Sequence, residues 1–375
     1  MTTRVFVDLH ILQTVPPANL NRDDQGNPKE AVYGGVRRSR VSSQAWKRAA
    51  RMRFADRVPA QNLGTRTRRV AGELAKRLQA RTSLDQEQSA RIATALLAPV
   101  GISAGKKAGA TAYLLFVGNG QLDAAIDLVA HRADELAGYD DDALEEAMKG
   151  LPVAEQFREN HPLDVALFGR MVADIPALNV DAAVQVAHAL STHAAEAEFD
   201  YFTAVDDTNE DDTGAGMIGS IGFNSATLYR YATIGLDQLR HNLGETDAVL
   251  EAVDVFIDSF ARSMPTGYGN AFAHRTLPSL VAAVVREDQP VNLVSAFEKP
   301  ISAPKGGIAE RSALALAAEH RRSVALWGDK PAHTAIAHAF DTDTDSELAE
   351  SFGTSVTVAE LRHGLREHLH GYLTR

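Results

Sequence analysis

Between Arg37 and Arg51 the chain reads RRSRVSSQAWKRAAR, and Arg37, Arg38, Arg40, Lys47, Arg48 and Arg51 crowd into it with no acid among them. Cations at that density suit a polyanion, and a phosphate backbone is the polyanion that releases counterions when they bind it. Ser42, Ser43 and Gln44 read as a helix start. Ser43 is a good N-cap, because its hydroxyl can accept from backbone N–H groups one turn on. A free helix start also presents unpaired N–H donors and a partial positive charge, both favourable to phosphate. At about 100° per residue, Trp46, Ala49, Ala50 and Phe54 share one side, and Gln44, Lys47, Arg48 and Arg51 share the other. Such a helix buries one face and presents cations on the other; the plain alternative is a solvated charged surface.

Charge distribution favours the first reading. The whole chain of 375 residues carries a formal −11, which alone argues against a polyanion binder. Residues 1–110, however, hold 20 Lys or Arg against 8 Asp or Glu, while the remainder holds 18 against 41. A basic N-terminal third on an acidic body suggests a localised nucleic-acid surface. There is no cysteine, which excludes disulfides and thiolate chemistry. With no secretory signal and no long apolar run, a soluble cytoplasmic protein is expected.

Other groups could do chemistry, each with a bland counterpart. Asp23 and Asp24 in the loop NLNRDDQGNPKE could hold a divalent metal, but a third ligand is missing, and an Asp-rich turn held by Arg22 explains them as well. Asp8 and His10 share a face of the strand RVFVDLHIL, which alternates as a half-buried strand does. Gly101-x-x-x-Gly105-Lys106 is one residue short of a P-loop. Asp207, Asn209 and Asp211 fail the EF-hand pattern at Asp212 and Ile218. His188 and His193 are too far apart for a shared metal and read as helix-face residues. In ALFGRM, Gly169 allows close approach of another molecule, and the unbranched thioether of Met171, beside Arg170, suits a splayed base.

The elements that must position these groups are an opening strand, a proline-ended loop, and a helical stretch from Ser43 to about residue 98. Acidic helices follow to about Glu159, then a helix around residues 184–190. A strand, a long loop and a returning strand span residues 199–231. Near the C-terminus come a glycine-rich loop MPTGYGNAF, the buried strand LPSLVAAVVRED, a helix over residues 308–324 and an amphipathic C-terminal helix.

FVDLHIL, NLNRDD, YGGVRRSRVSSQAWKRAAR, ALFGRM and FTAVDD, in that order, resemble the backbone subunit of the subtype I-E CRISPR Cascade complex. This is the CasC-type member of the repeat-associated, RNA-recognition-motif-like superfamily. The resemblance implies an α+β fold: a modified RRM or ferredoxin-like palm (residues 1–60 and 190–375), a mostly helical fingers insertion (61–189) and a long thumb loop (199–231). It implies a non-catalytic subunit without cofactor or metal, several copies of which stack along the CRISPR guide RNA (crRNA) beside other Cascade subunits. Target DNA would be met through the guide. On this likeness Ser42, Ser43, Gln44 and Lys47 hold phosphate, with Arg51 one turn on. Asn21 and Arg22 belong to the same track, and Met171 and Thr203 lie near a kinked nucleotide. Arg37, Arg38, Arg40, Arg48 and Arg170 complete the expected RNA-binding set.

The same residues suit that role chemically, since a guide holder must grip phosphate and ribose and leave base edges free. Two alternatives stand beside it. One is a metal-dependent, RNA-cleaving type III-like backbone subunit using Asp23 or Asp24; the other is an acidic protein-interaction module.

Overall fold

The computed structural model describes residues 4–102, 105, 110–205, 215–302, 307–328 and 330–374. The acidic stretch Asp207 to Asp212 and the glycine-rich link around Lys106 lie outside them. The strands in chain order are β1 Phe6–Ala18, β2 Glu30–Tyr33, β3 Val36–Val41, β4 Gly64–Thr67, β5 Leu115–Gly118 and β6 Val184–Val186. They continue with β7 Ala189–Ser191, β8 Glu198–Val205, β9 Ala215–Gly235, β10 Leu280–Arg286 and β11 His333–His338. The chain divides into two compact units: Met1–Arg53 with Val184–Leu236 and Val253–Arg375, and Phe54–Ala183 with Asp237–Ala252.

The first unit is built on an antiparallel sheet in the order β11-β10-β1-β9-β7-β3-β2, with β6 and β8 also pairing with β9. The opening strand β1 lies between β10 and β9, with Leu9 opposite Ala283 on one side and Ala232 on the other. Residues 7–13 are consequently buried on both faces, not on one as their alternation suggests. Helices cover both sides of the sheet. Leu12, Tyr229 and Leu280 pack with Leu316 and Ala317 of the helix Ile308–Trp327 and with Phe352.

Asp8 and His10 therefore belong to the core. Asp8 accepts from the Tyr231 hydroxyl (2.8 Å), from Arg286 Nε (3.1 Å) and from the Val291 N–H (2.9 Å). Desolvation pushes its carboxyl up, and these donors oppose the shift. The Tyr229 hydroxyl accepts from the Leu293 N–H and shares a 2.9 Å hydrogen bond with His10 Nδ1. Burial holds that imidazole far below its usual pKa, and it stays neutral.

The second unit carries the two-stranded pair β4–β5 and a helical core. Gly64–Thr67 breaks the helical stretch expected from Ser43 to residue 98 because it pairs with Leu115–Gly118, and a Cβ at Gly64 would lie 2.7 Å from the Phe116 ring. Leu74, Leu78, Ile92, Leu96, Leu122 and Ile126 interlock from three helices, Val70–Arg81, Gln86–Leu97 and Asn119–Ala130. The cations Arg77 and Arg81 are matched by Asp123 and Asp127. Residues 184–191 form strands where a helix was expected: Val184 pairs with Ile234 and Leu190 with Tyr229, and strand pairing outweighs local periodicity.

Asp8→Ala should leave Arg286 as an uncompensated buried cation and lower stability by about 3–5 kcal/mol. The urea midpoint of unfolding measures it, and a loss below about 1 kcal/mol would show that the Asp8 network is not holding the sheet.

Candidate nucleic-acid interface

The basic helix runs from Ser43 to Phe54 and is named α1. Trp46, Ala50 and Phe54 are fully buried, while Gln44 and Arg48 are exposed and Ser43, Lys47 and Arg51 are half-buried, so the two-faced pattern expected from the sequence is present. The cap lies one residue earlier than expected. Ser42 Oγ accepts from the Ala45 N–H at 3.3 Å, and the Ser42 carbonyl accepts from Ala45 and Trp46. The shift follows from Asn21, whose Oδ1 accepts the Ser42 N–H at 2.9 Å and makes Ser42 the joint between β3 and α1.

The loop that supplies Asn21 is itself bracketed. Asp23 Oδ1 accepts from the N–H groups of Gln25 and Asn27, both at 2.9 Å, and Asn21 O accepts from the Lys29 N–H. Asp23 thus serves its own loop. Asn19 Nδ2 donates to Gly26 O (3.0 Å) and Gly222 O (2.8 Å), tying the loop to the base of the β8–β9 hairpin. Arg22 lies exposed, its guanidinium carbon 4.7 Å from the centre of the Tyr268 ring.

The arginines of the basic run separate into surface and core. Arg37 is exposed and pairs with Glu30 at 2.7 Å. Arg40 is half-buried, donating to Glu30 O and to His188 Nδ1. Arg38, expected on the phosphate track, points inward: it is fully buried and donates to the carbonyls of Tyr33, Ser191, Phe297 and Glu298 at 2.8–3.2 Å. In a strand, neighbouring residues face opposite ways, and Arg38 takes the inner side.

Arg170, also expected to meet RNA, points inward as well. Its guanidinium is buried and donates to Leu178 O, Phe116 O and Phe157 O, and burial lowers its pKa to about 10, leaving it a cation at neutral pH. Gly169 (φ 75°) is required by the protein's own backbone, since a Cβ there would lie 2.7 Å from Val180 O. Met171, next in the chain, is 84% exposed. Thr203 lies opposite Ile218 on the β8–β9 hairpin, where Phe199, Tyr201 and Ile218 are also exposed.

The support of α1 was not foreseen from sequence. Arg230, on β9 and fully buried, places its guanidinium carbon 3.7 Å from the centre of the Trp46 ring and 4.5 Å from that of Phe260. It donates to Gln13 Oε1 (2.6 Å), Ala261 O (3.3 Å) and Phe260 O. Burial lowers its pKa to about 9. Alternation within LYRYATIG placed Arg230 opposite in face to Tyr229 and Tyr231, which was the available signal.

The profile of the CT1975-like protein family matches residues 7–363. The chain belongs to that family. No curated protein matches the sequence. The CT1975-like chain is also similar to chains of two solved assemblies. One, of a "CRISPR RNA-guided surveillance complex, pre-nicking", is 35% identical, with a TM-score of 0.83 and coverage of 97% of this chain and 99% of that one. The other, of a "CRISPR RNA-guided surveillance complex", is 30% identical, with a TM-score of 0.74 and the same coverage, 97% and 99%. Among the described residues of the CT1975-like chain there is no group of three or more His, Asp or Glu placed to hold a metal. None of their helices is long and apolar enough to cross a membrane.

Arg38→Ala should unpair several buried carbonyls and cost roughly 3 kcal/mol or more, whereas Arg48→Ala should stay within about 0.5 kcal/mol of the parent. Denaturant unfolding of both variants separates the structural cation from the surface one.

Proposed function

We propose that this chain is a non-catalytic backbone subunit of a Cascade-type CRISPR complex, working in the cytoplasm, that binds guide RNA and repeats along it. What carries the reading is the outer edge of α1, with exposed Gln44 and Arg48 beside half-buried Lys47 and Arg51, held by the Trp46–Arg230 contact and the Asn21–Ser42 bond in a chain so similar to surveillance-complex subunits. A helix start with amide, hydroxyl and cationic side chains grips phosphate without reading bases, which a holder of variable guides requires. The bases stay available for target DNA.

On this reading residues 1–60 and 190–375 supply the palm, residues 61–189 the fingers and residues 199–231, within the palm, the thumb. Met171 and Thr203 are separate contacts to the guide, Met171 by its exposed thioether and Thr203 from the hairpin face. Arg37 joins the track at the cost of its surface pair with Glu30, a pair of low net worth in water. The neighbours are further copies of the chain and other Cascade subunits.

Expressed with a CRISPR array, its processing machinery and partner subunits, the chain should co-purify with repeat-flanked RNAs of uniform length. A preparation free of RNA under those conditions would overturn the proposal. In binding assays, Lys47→Ala combined with Arg51→Ala should weaken RNA affinity and flatten its dependence on salt, because each lost phosphate contact lowers the slope by about one. Unchanged affinity and slope would remove α1 from the interface.

A further inference from the structure

The loop between the helix Thr246–Arg262 and β10 contains an unusual backbone. Tyr268 (φ 49°, ψ 31°) and Ala273 (φ 46°, ψ 37°) both take the left-handed conformation, on either side of the single helical turn Gly269–Phe272. Positive φ disfavours side chains with a Cβ, and of the nine other positive-φ positions among the described residues eight are glycine and one is Asn160. A strained residue persists where its surroundings hold it, and such residues gather at ligand-binding positions. Here the surroundings are specific. A Cβ at Gly267 would lie 2.5 Å from the carbonyl oxygens of Asn19 and Leu20, so the loop is pressed onto the backbone that leads into Asn21 and Arg22. The Tyr268 carbonyl accepts from the N–H groups of Ala271 and Phe272, which closes the turn beneath the ring.

The strain orients an aromatic ring toward solvent. Tyr268 is 38% exposed, with Arg22 over its ring and Phe272 meeting it edge to face at 6.4 Å and 89°. Phe272 contacts Phe223 at the base of the β8–β9 hairpin, with centroids 5.9 Å apart. Arg22, Tyr268, Phe272 and Phe223 thus form a continuous chain of ring and guanidinium contacts beside the loop that leads to the α1 cap. Its outer member is the exposed Arg22 guanidinium over the Tyr268 ring, and guanidinium and ring are both groups that accept a flat π partner.

We propose that Arg22 and Tyr268 form a stacking platform for an unpaired nucleobase of single-stranded RNA, next to the phosphate grip of α1. This rests on the guide-RNA reading above and adds a second type of contact to it. Stacking uses the face common to all four bases, so the platform contributes affinity without sequence preference and leaves Watson–Crick edges free. The Tyr268 hydroxyl makes no hydrogen bond among the described residues, and the ring alone is the contact.

The test uses the full chain and a short single-stranded RNA carrying a fluorescent adenine analogue that dims when stacked. Tyr268→Gly relieves the strain and removes the ring. It should unfold no more easily than the parent, bind RNA roughly ten-fold more weakly, and leave the analogue brighter, with an unchanged salt slope because no cation is lost. Tyr268→Phe should match the parent. Parental affinity and emission in Tyr268→Gly, or loss in Tyr268→Phe equal to that in Tyr268→Gly, would overturn the platform. So would normal RNA binding coupled to failed assembly of copies, which would make Tyr268 a protein contact. In each of those cases Lys47→Ala with Arg51→Ala still weakens binding and the guide reading survives. Failure of the parent chain to bind RNA removes both.

Discussion

The placement of α1 depends on a cation that has no anion. Arg230 is buried against Trp46 and Phe260, and among the described residues no carboxylate pairs with it. Its charge is balanced instead by ring faces, the Gln13 side chain and two carbonyls at the end of the helix Thr246–Arg262. Carbonyls near a helix C-terminus carry partial negative charge, which suits a guanidinium. Such compensation works only in one arrangement, because a small displacement of helix or strand would leave a desolvated charge unsatisfied. Sheet, α1 and the Phe260 helix are thereby fixed to one another, and the basic edge of α1 inherits that rigidity.

Two physical kinds of arginine stand out in this chain. Arg38, Arg170 and Arg230 are inward clamps whose several donors gather carbonyls from segments distant in sequence. Arg22, Arg37 and Arg48 are surface groups. Guanidinium serves both uses because it remains charged even when burial lowers its pKa, and because its planar fork bonds in several directions at once. Charge counting treats the two kinds alike, so the cationic excess of the N-terminal segment overstates what can reach a phosphate by at least Arg38.

The helix α1 was legible because amphipathic periodicity is a local property, and both its buried Trp46 and its exposed Arg48 follow from spacing. What failed was whatever depended on remote partners. Asp8 and His10 looked like one face of a half-exposed strand, since nothing local reveals that Tyr231, Arg286 and Tyr229 come to meet them. Residues 184–191 have helical spacing and become strands because β9 offers an edge to pair with. The cap moved from Ser43 to Ser42 because Asn21, distant in sequence, claims the Ser42 N–H. Tyr268 could be noticed as an aromatic in a glycine-rich loop, but its left-handed backbone is a tertiary fact.

The strand β9 pairs with β8 through Phe223 and with β1 from Asn224 onward. The hairpin is therefore a beam clamped inside the sheet, continuous along β9, with an irregularity of β1 between Val15 and Ala18 at the clamp. Gly222 at the clamp is wedged against Asn27 and Pro28. In such a beam, reach is quantised: each added residue pair extends it by about 3.3 Å, but side chains alternate faces, so only insertions of two per strand preserve which face carries Thr203 and Tyr201. Distance spanned by the hairpin can thus drift over evolutionary time in even steps, while the core strand that anchors it stays unaltered.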